Sequence, residues 1–416
     1  MNKISLYLVG DSISIDYHPV LAELLAEGYC YRRKGGLAEA RRNLDLATGA
    51  NGGDSACVLA HVREILAEGL PEEVVAVNCG LHDIKRKPDS GEIQVSQEAY
   101  RKHLQQIVDL LQAAGKRMLW IRTTPVDEVQ HRKCNGAFNR FEADLAAYNA
   151  IADAVMQKAG VDRIDLCGFT ASLPGPWFRD HVHFFPEISR AQAGFLRRAF
   201  DRLLRPGLPP LHTFLGDSIT DAGRDRGDCA SLGEGYVDCL AKDQPHWRFC
   251  NLGVSGNRIS DLRARLAEVP LESHSLTIYG GINDVVHLFK RNRPQSLEEF
   301  EADAAALLEA AQRMGIPLRV MLPFLCDARP VDRAQDWWPL PGRMYQAWRA
   351  ALDARLRILE ALCSERGIPA IPLDPVLGPC KDLCEDGIHP QAAGHALIAG
   401  TWAAFVCQKE DLSFTL

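Results

Sequence analysis

Four short blocks occur twice in this chain, in the same order. VGDSISI around Ser12 returns as LGDSITD around Ser218, 206 positions later. NGGDSA, opening at Asn51, returns as NLGVSG, opening at Asn251, so that Gly53 pairs with Gly253. NCGLHD (78–83) returns as YGGIND (279–284), which pairs His82 with Asn283. DHVHF (180–184) returns as DGIHP (386–390), pairing Asp180 with Asp386 and His183 with His389. Offsets of 200, 201 and 206 hold one register, which independent coincidences do not do. The chain therefore reads as a duplicated domain. The expected domains are 1–205 and 212–416. Between them, 206–211 carry three prolines and a glycine that stop the preceding helix.

Between the blocks, strand and helix patterns alternate. In the second half Ser296 and Glu299 have capping-box spacing. Leu297, Phe300, Ala304, Leu307, Leu308 and Ala311 then recur at helical spacing, and Gly315 ends the run. LRVMLPF follows as a buried parallel strand. The first half repeats the pair with YRKHLQQIVDLLQAAG and RMLWIRT. Such alternation predicts an α/β fold, a parallel sheet between helices, in each half. Function is then expected where strands hand over to loops, and all four blocks fall there.

A serine that follows a strand and opens a helix has an unpaired backbone N–H beside its hydroxyl, in the positive field of the helix N-terminus. Asp386 and His389 are close enough along the chain to meet within one turn, so the carboxylate can hold one ring nitrogen while the other faces Ser218. The Gly253 N–H and the Asn283 amide complete an expected set of oxyanion donors. In the first half the same roles fall on Ser12, His183, Asp180 and Gly53, with His82 at the asparagine position. An imidazole there donates one hydrogen bond when neutral and a stronger one when charged. First-half turnover is therefore expected to follow His82 ionisation, near the ordinary histidine value of about 6.5. Asp11 and Asp217 are expected to tie down the serine turn.

GDSIT, NLGVSGNRISDL, GGIND and DGIHPQAAGH resemble blocks I, II, III and V of the SGNH, or GDSL, hydrolases. The second half, through FLGDSITDAGRDR, GEGYVD and DGIHPQAAGHALIA, is similar to bacterial acetylesterases acting on xylo-oligosaccharides. The first half, with VGDSISI, NGGDS and NCGLHDIK, resembles a different branch. The resemblance implies two tandem flavodoxin-like three-layer α/β/α domains and metal-free serine ester hydrolysis through an acyl-enzyme. The implied substrate is a small acyl ester, such as an acetylated sugar. Two other readings stay open: an acyltransferase or thioesterase, and a first half that serves only as a binding or dimerisation module.

Composition excludes more than it selects. A net charge of −7 gives no general footprint for nucleic acid or anionic membranes. No apolar run has the length of a membrane span, and MNKISLYLVG runs straight into Gly10-Asp11-Ser12, so it reads as a strand. Thirteen cysteines without a C-x-x-C pair suit a reducing cytoplasm, and Cys57, Cys79, Cys167 and Cys250 are expected to be buried. Cys380 and Cys384 have no second pair beside them, and Gly387 stands where the first half has His181. No metal or cofactor is expected, and oligomeric state is open. Trp337-Trp338 could stack a sugar or fill a seam.

Overall fold

The structure is a computed structural model and describes residues 3–290, 295–326, 342–378, 383–384 and 386–410. Trp337, Trp338 and Cys380 lie outside the described residues. The chain forms two compact units, Met1–Leu208 and Pro209–Gln312 with Ile316–Thr415. The first contains strands β1 (Ile4–Val9), β2 (Tyr29–Arg33), β3 (Val74–Val77), β4 (Arg117–Ile121) and β5 (Asp162–Ile164). The second contains β6 (Leu211–Gly216), β7 (Arg248–Gly253), β8 (Ser275–Tyr279), β9 (Leu318–Leu322) and β10 (Ala370–Pro372).

Among the described residues, each unit has one five-stranded sheet in which every pairing is parallel. The first runs β2-β1-β3-β4-β5 and the second β7-β6-β8-β9-β10. Both follow the doubly wound 2-1-3-4-5 order, whose switch point lies between the first and third strands. β3 (VVAV) is a continuous apolar run, as expected of a strand covered on both faces, whereas β8 (SLTIY) also buries Ser275 and Thr277. All four residues of β3 and all five of β8 are buried. The fold is α/β, two three-layer α/β/α domains.

Local sequence explains the helices that frame each sheet. Ser96 caps the helix Gln97–Ala113 by accepting from the Ala99 N–H, and its buried face is Tyr100, Leu104, Ile107, Val108 and Leu111. The expected capping box of the second half is present: the Ser296 N–H donates to Glu299 Oε2 at 2.9 Å, and the Glu299 N–H to Ser296 Oγ at 3.1 Å. Its helix, Leu297–Arg313, buries Phe300, Ala304, Leu307, Leu308 and Ala311. Leu297, the first residue of this helix, is 41% exposed, against expectation. In the second core, Trp402 is fully buried and donates from its indole to Thr277 Oγ1 at 2.9 Å, which satisfies a group that burial would otherwise orphan.

Two further expectations are corrected. β6 begins at Leu211, inside the expected linker, because Leu211 already pairs with Arg248. Of the four cysteines expected inside, Cys79 is buried, Cys167 and Cys250 are half-buried, and Cys57 is exposed in the first turn of a helix. No helix among the described residues is long and apolar enough to cross a membrane.

Candidate active site

Each candidate serine stands just beyond the carboxyl end of the sheet's second strand in spatial order. β1 ends at Val9, and Ser12 is the first residue of the helix Ser12–Leu25. β6 ends at Gly216, and Ser218 opens the helix Ser218–Asp221. The intervening aspartates act as caps: Asp11 Oδ1 accepts from the Ile13 N–H and Asp217 Oδ1 from the Ile219 N–H, both at 3.0 Å. This is the turn-holding role expected for them. Both serines lie in the first helical turn, where a backbone N–H has no intrahelical acceptor.

The histidines arrive from the other end of each unit. Ser12 Oγ lies 2.9 Å from His183 Nε2, and Ser218 Oγ lies 2.9 Å from His389 Nε2. His183 Nδ1 is 2.9 Å from Asp180 Oδ2, and His389 Nδ1 is 2.6 Å from Asp386 Oδ2. The turn is held by its own aspartate. Asp180 Oδ1 accepts from the Val182 and His183 N–H groups at 2.9 and 2.8 Å, and Asp386 Oδ1 from those of Ile388 and His389 at 2.9 and 2.7 Å. With the carboxylate on Nδ1, that nitrogen carries the proton, and Nε2 is left to accept from the serine hydroxyl. Burial pushes both aspartates up, but the hydrogen bonds from imidazole and backbone outweigh it and hold them below the usual carboxylate range. They stay ionised at neutral pH and favour a positive imidazolium.

The glycines of the second block are turned differently from expectation. The Gly253 N–H donates to Asn251 Oδ1 at 2.8 Å, and the Gly53 N–H to Asn51 Oδ1 at 3.0 Å. These donors are engaged within their own loop, a correction to the expected oxyanion set. Gly253 is required for a different reason: a Cβ there would lie 2.1 Å from the Asp221 backbone nitrogen and 2.5 Å from its Cα. Gly253→Ala keeps the N–H but is expected to cost about 1–3 kcal/mol of stability and to displace the Ser218 helix. Denaturant unfolding and turnover, measured together, check this.

Gly256 was missed at the sequence level. It occupies the third position of a turn closed by the Asn257 N–H on the Val254 carbonyl at 3.2 Å, with φ +84°. That conformation belongs to glycine in a type II turn. Its N–H has no partner among the described residues, and Asn283 Nδ2 donates to the adjoining Asn257 carbonyl at 3.0 Å. The second amide hydrogen of Asn283 remains available. The readable signal was the second glycine of NLGVSG.

His82 is only 2% exposed. Burial, reinforced by Lys85 and Arg140, pushes its pKa well below 6.5. It is therefore a neutral imidazole at neutral pH, and the expectation that its ionisation governs first-half turnover is corrected. Its Nε2 is 3.5 Å from Asn51 Nδ2. Among the described residues, Asp180, His181 and His183 could offer ligand atoms to a metal, all within 4.8 Å of one another. Each also has a protein partner: His181 Nε2 lies 3.2 Å from Asp45 Oδ1, and the other two hold each other.

Comparison with known proteins decides the class of the second unit. Residues 214–397 match the GDSL-like lipase/acylhydrolase family. They form a GDSL-like acylhydrolase domain. The chain is also 29% identical over 202 residues to an acetylxylan esterase of Geobacillus stearothermophilus, covering 45% of this chain and 89% of that protein. Among solved structures, an acetylxylan esterase from Geobacillus stearothermophilus is 26% identical, covering 48% of this chain and 95% of that one, with a TM-score of 0.38. An α/β hydrolase enzyme from the metagenome of Lake Arreo, Spain, is 27% identical, covering 47% and 94%, with a TM-score of 0.39. The GDSL-like domain is a carboxylic ester hydrolase, and it contains Ser218, Asn283, Asp386 and His389.

Proposed function

We propose that both halves, 1–205 and 212–416, are serine esterase domains derived from one duplicated unit. The observation that carries this is the same hydrogen-bonded chain of hydroxyl, imidazole and carboxylate in each, with serine and histidine 171 residues apart both times. In the GDSL-like domain Ser218 Oγ attacks the acyl carbon while His389 Nε2 takes its proton. Asp386 holds the ring and stabilises the imidazolium. The negative charge that develops on the carbonyl oxygen is met by the N–H groups of Ser218 and Gly256 and by the Asn283 amide. Collapse breaks the ester bond, and His389 returns the proton to the departing alcohol. A water molecule then repeats the sequence on the acyl-enzyme and releases the free acid.

In the first half Ser12, His183 and Asp180 take the same parts. His82, neutral, supplies a single donor where Asn283 supplies an amide. The substrate class we favour for the GDSL-like domain is an acetyl ester of a carbohydrate, supported by its 29% identity to an acetylxylan esterase and by the phrasing of its blocks. Labelling with a serine-reactive fluorophosphonate tests the reading. Modification of both Ser12 and Ser218 is expected, with release of acetate from acetylated xylo-oligosaccharides. A chain labelled at Ser218 alone would make the first half a binding module, and transfer of the acyl group to an added alcohol would make the enzyme a transferase.

A further inference from the structure

Beside the Ser12 site lie two cations, Lys85 and Arg140, that among the described residues make no direct ion pair. Arg140 is 2% exposed, yet its Nε donates to a backbone carbonyl, that of Leu81, at 2.8 Å. Its Nη1 faces His181 Nδ1 at 3.4 Å, and its Cζ lies 4.8 Å from the centre of the Phe138 ring. Lys85 Nζ lies 4.5 Å from the same ring and donates to the Asp45 backbone carbonyl at 2.7 Å. Among the described residues, no carboxylate lies within ion-pair distance of either. The acids whose charge reaches Arg140 are engaged elsewhere: Asp45 holds His181, Asp180 holds His183, and Asp11 caps the Ser12 helix.

A guanidinium withdrawn from water without a directly bound anion is destabilised by its lost hydration. The two cations also work against each other: burial and Arg140 push Lys85 down to about 8, and burial pushes Arg140 down to about 10. The fold does not demand this charge. In the register that pairs His82 with Asn283, Val286 stands where the first half has Lys85, and Gly387 stands where it has His181. The GDSL-like domain holds its serine, histidine and aspartate in the same arrangement with Val286 and Gly387 at these two positions. The cations also adjoin the reacting groups. Leu81 precedes His82 in the chain, and the His181 ring centre is 5.6 Å from that of His183, whose Nε2 receives Ser12 Oγ.

We propose that the Ser12 site selects esters that carry a negative charge, a carboxylate or phosphate close to the scissile bond, and that Lys85 and Arg140 are the residues that read it. This rests on the reading of Ser12 as an ester-cleaving serine. An incoming oxyanion replaces the missing acid, and the planar fork of Arg140 suits either group. The two halves thus share a reaction and differ in substrate: neutral acetyl esters for Ser218, anionic esters for Ser12.

The test uses the full chain carrying Ser218→Ala, so that only Ser12 can react. Phenyl acetate is compared with 4-acetoxybenzoate, monophenyl succinate and 4-acetoxyphenyl phosphate, which place the charge on the alcohol or acyl side and as carboxylate or phosphate. At least one charged ester is expected to exceed phenyl acetate about tenfold or more in kcat/KM. Lys85→Gln is expected to cut that ratio about tenfold, and Lys85→Arg to retain most of it. Preference for the neutral ester, or a preference for charge that survives both Lys85→Gln and Arg140→Lys, overturns the proposal. If no ester is turned over, Ser12 is not an esterase serine, and calorimetry decides the charge question separately. The Ser12→Ala, Ser218→Ala chain should bind the charged ester more tightly than phenyl acetate and lose the difference with Lys85→Gln. Equal binding overturns the proposal there too.

Discussion

The Ser12→Ala, Ser218→Ala chain is expected to lose about 10⁵–10⁶ in kcat toward acyl esters, measured as acid released under saturating substrate. On the proposed reading, the size follows from removing the oxygen that would carry the acyl group at each site, while the imidazole and the proposed oxyanion donors stay in place. Those groups still hold the ester and polarise its carbonyl, so a residual rate above that of water is expected. Each single variant should retain the other half's activity. Ser218→Ala removes acetyl-sugar hydrolysis, and Ser12→Ala removes the turnover of whichever esters the first half prefers. A double variant that kept a tenth of the original rate would place the chemistry elsewhere in the chain.

Asp386→Asn, in a Ser12→Ala background, is expected to lower kcat by about 10⁴ with little change in folding. The asparagine oxygen can still accept from the Ile388 and His389 N–H groups, as Asp386 Oδ1 does now. Its amide nitrogen, however, presents hydrogens to His389 Nδ1, which must then shed its own proton. The proton moves to Nε2, the nitrogen that has to accept from Ser218 Oγ. The side chain is nearly the same shape, yet the tautomer is wrong. Circular dichroism and thermal unfolding should be close to those of the parent while turnover collapses. A loss of less than tenfold would mean that His389 does not depend on this carboxylate.

What could be read in the sequence was what the chain writes locally. Gly-Asp-Ser after an apolar run fixes a strand, a cap and the first residue of a helix. An aspartate three positions before a histidine fixes a turn in which backbone and ring share one carboxylate. The alternation of strand and helix patterns carried the parallel sheets. What could not be read was what burial and convergence decide. The glycine of each Asn-x-Gly stretch suggested an outward N–H, but a sequence cannot tell whether a glycine is kept for its donor or for its missing Cβ. At Gly253 the close approach of the Asp221 backbone gives the second answer. His82 read as a titrating group, and only the surrounding Lys85, Arg140 and low exposure make it neutral. Lys85 and Arg140 share no spacing with the serine, histidine or aspartate blocks. Nothing short of the folded chain brings them to one ring.

The separation of 171 residues between hydroxyl and imidazole in each unit has a bearing on how the enzyme is born. On the ribosome, the serine of each unit is made well before the loop that carries the histidine it meets. Because domains fold as they emerge, amino-terminal first, the Ser12–His183 contact is assembled before the Ser218–His389 contact, while much of the second unit is still unmade.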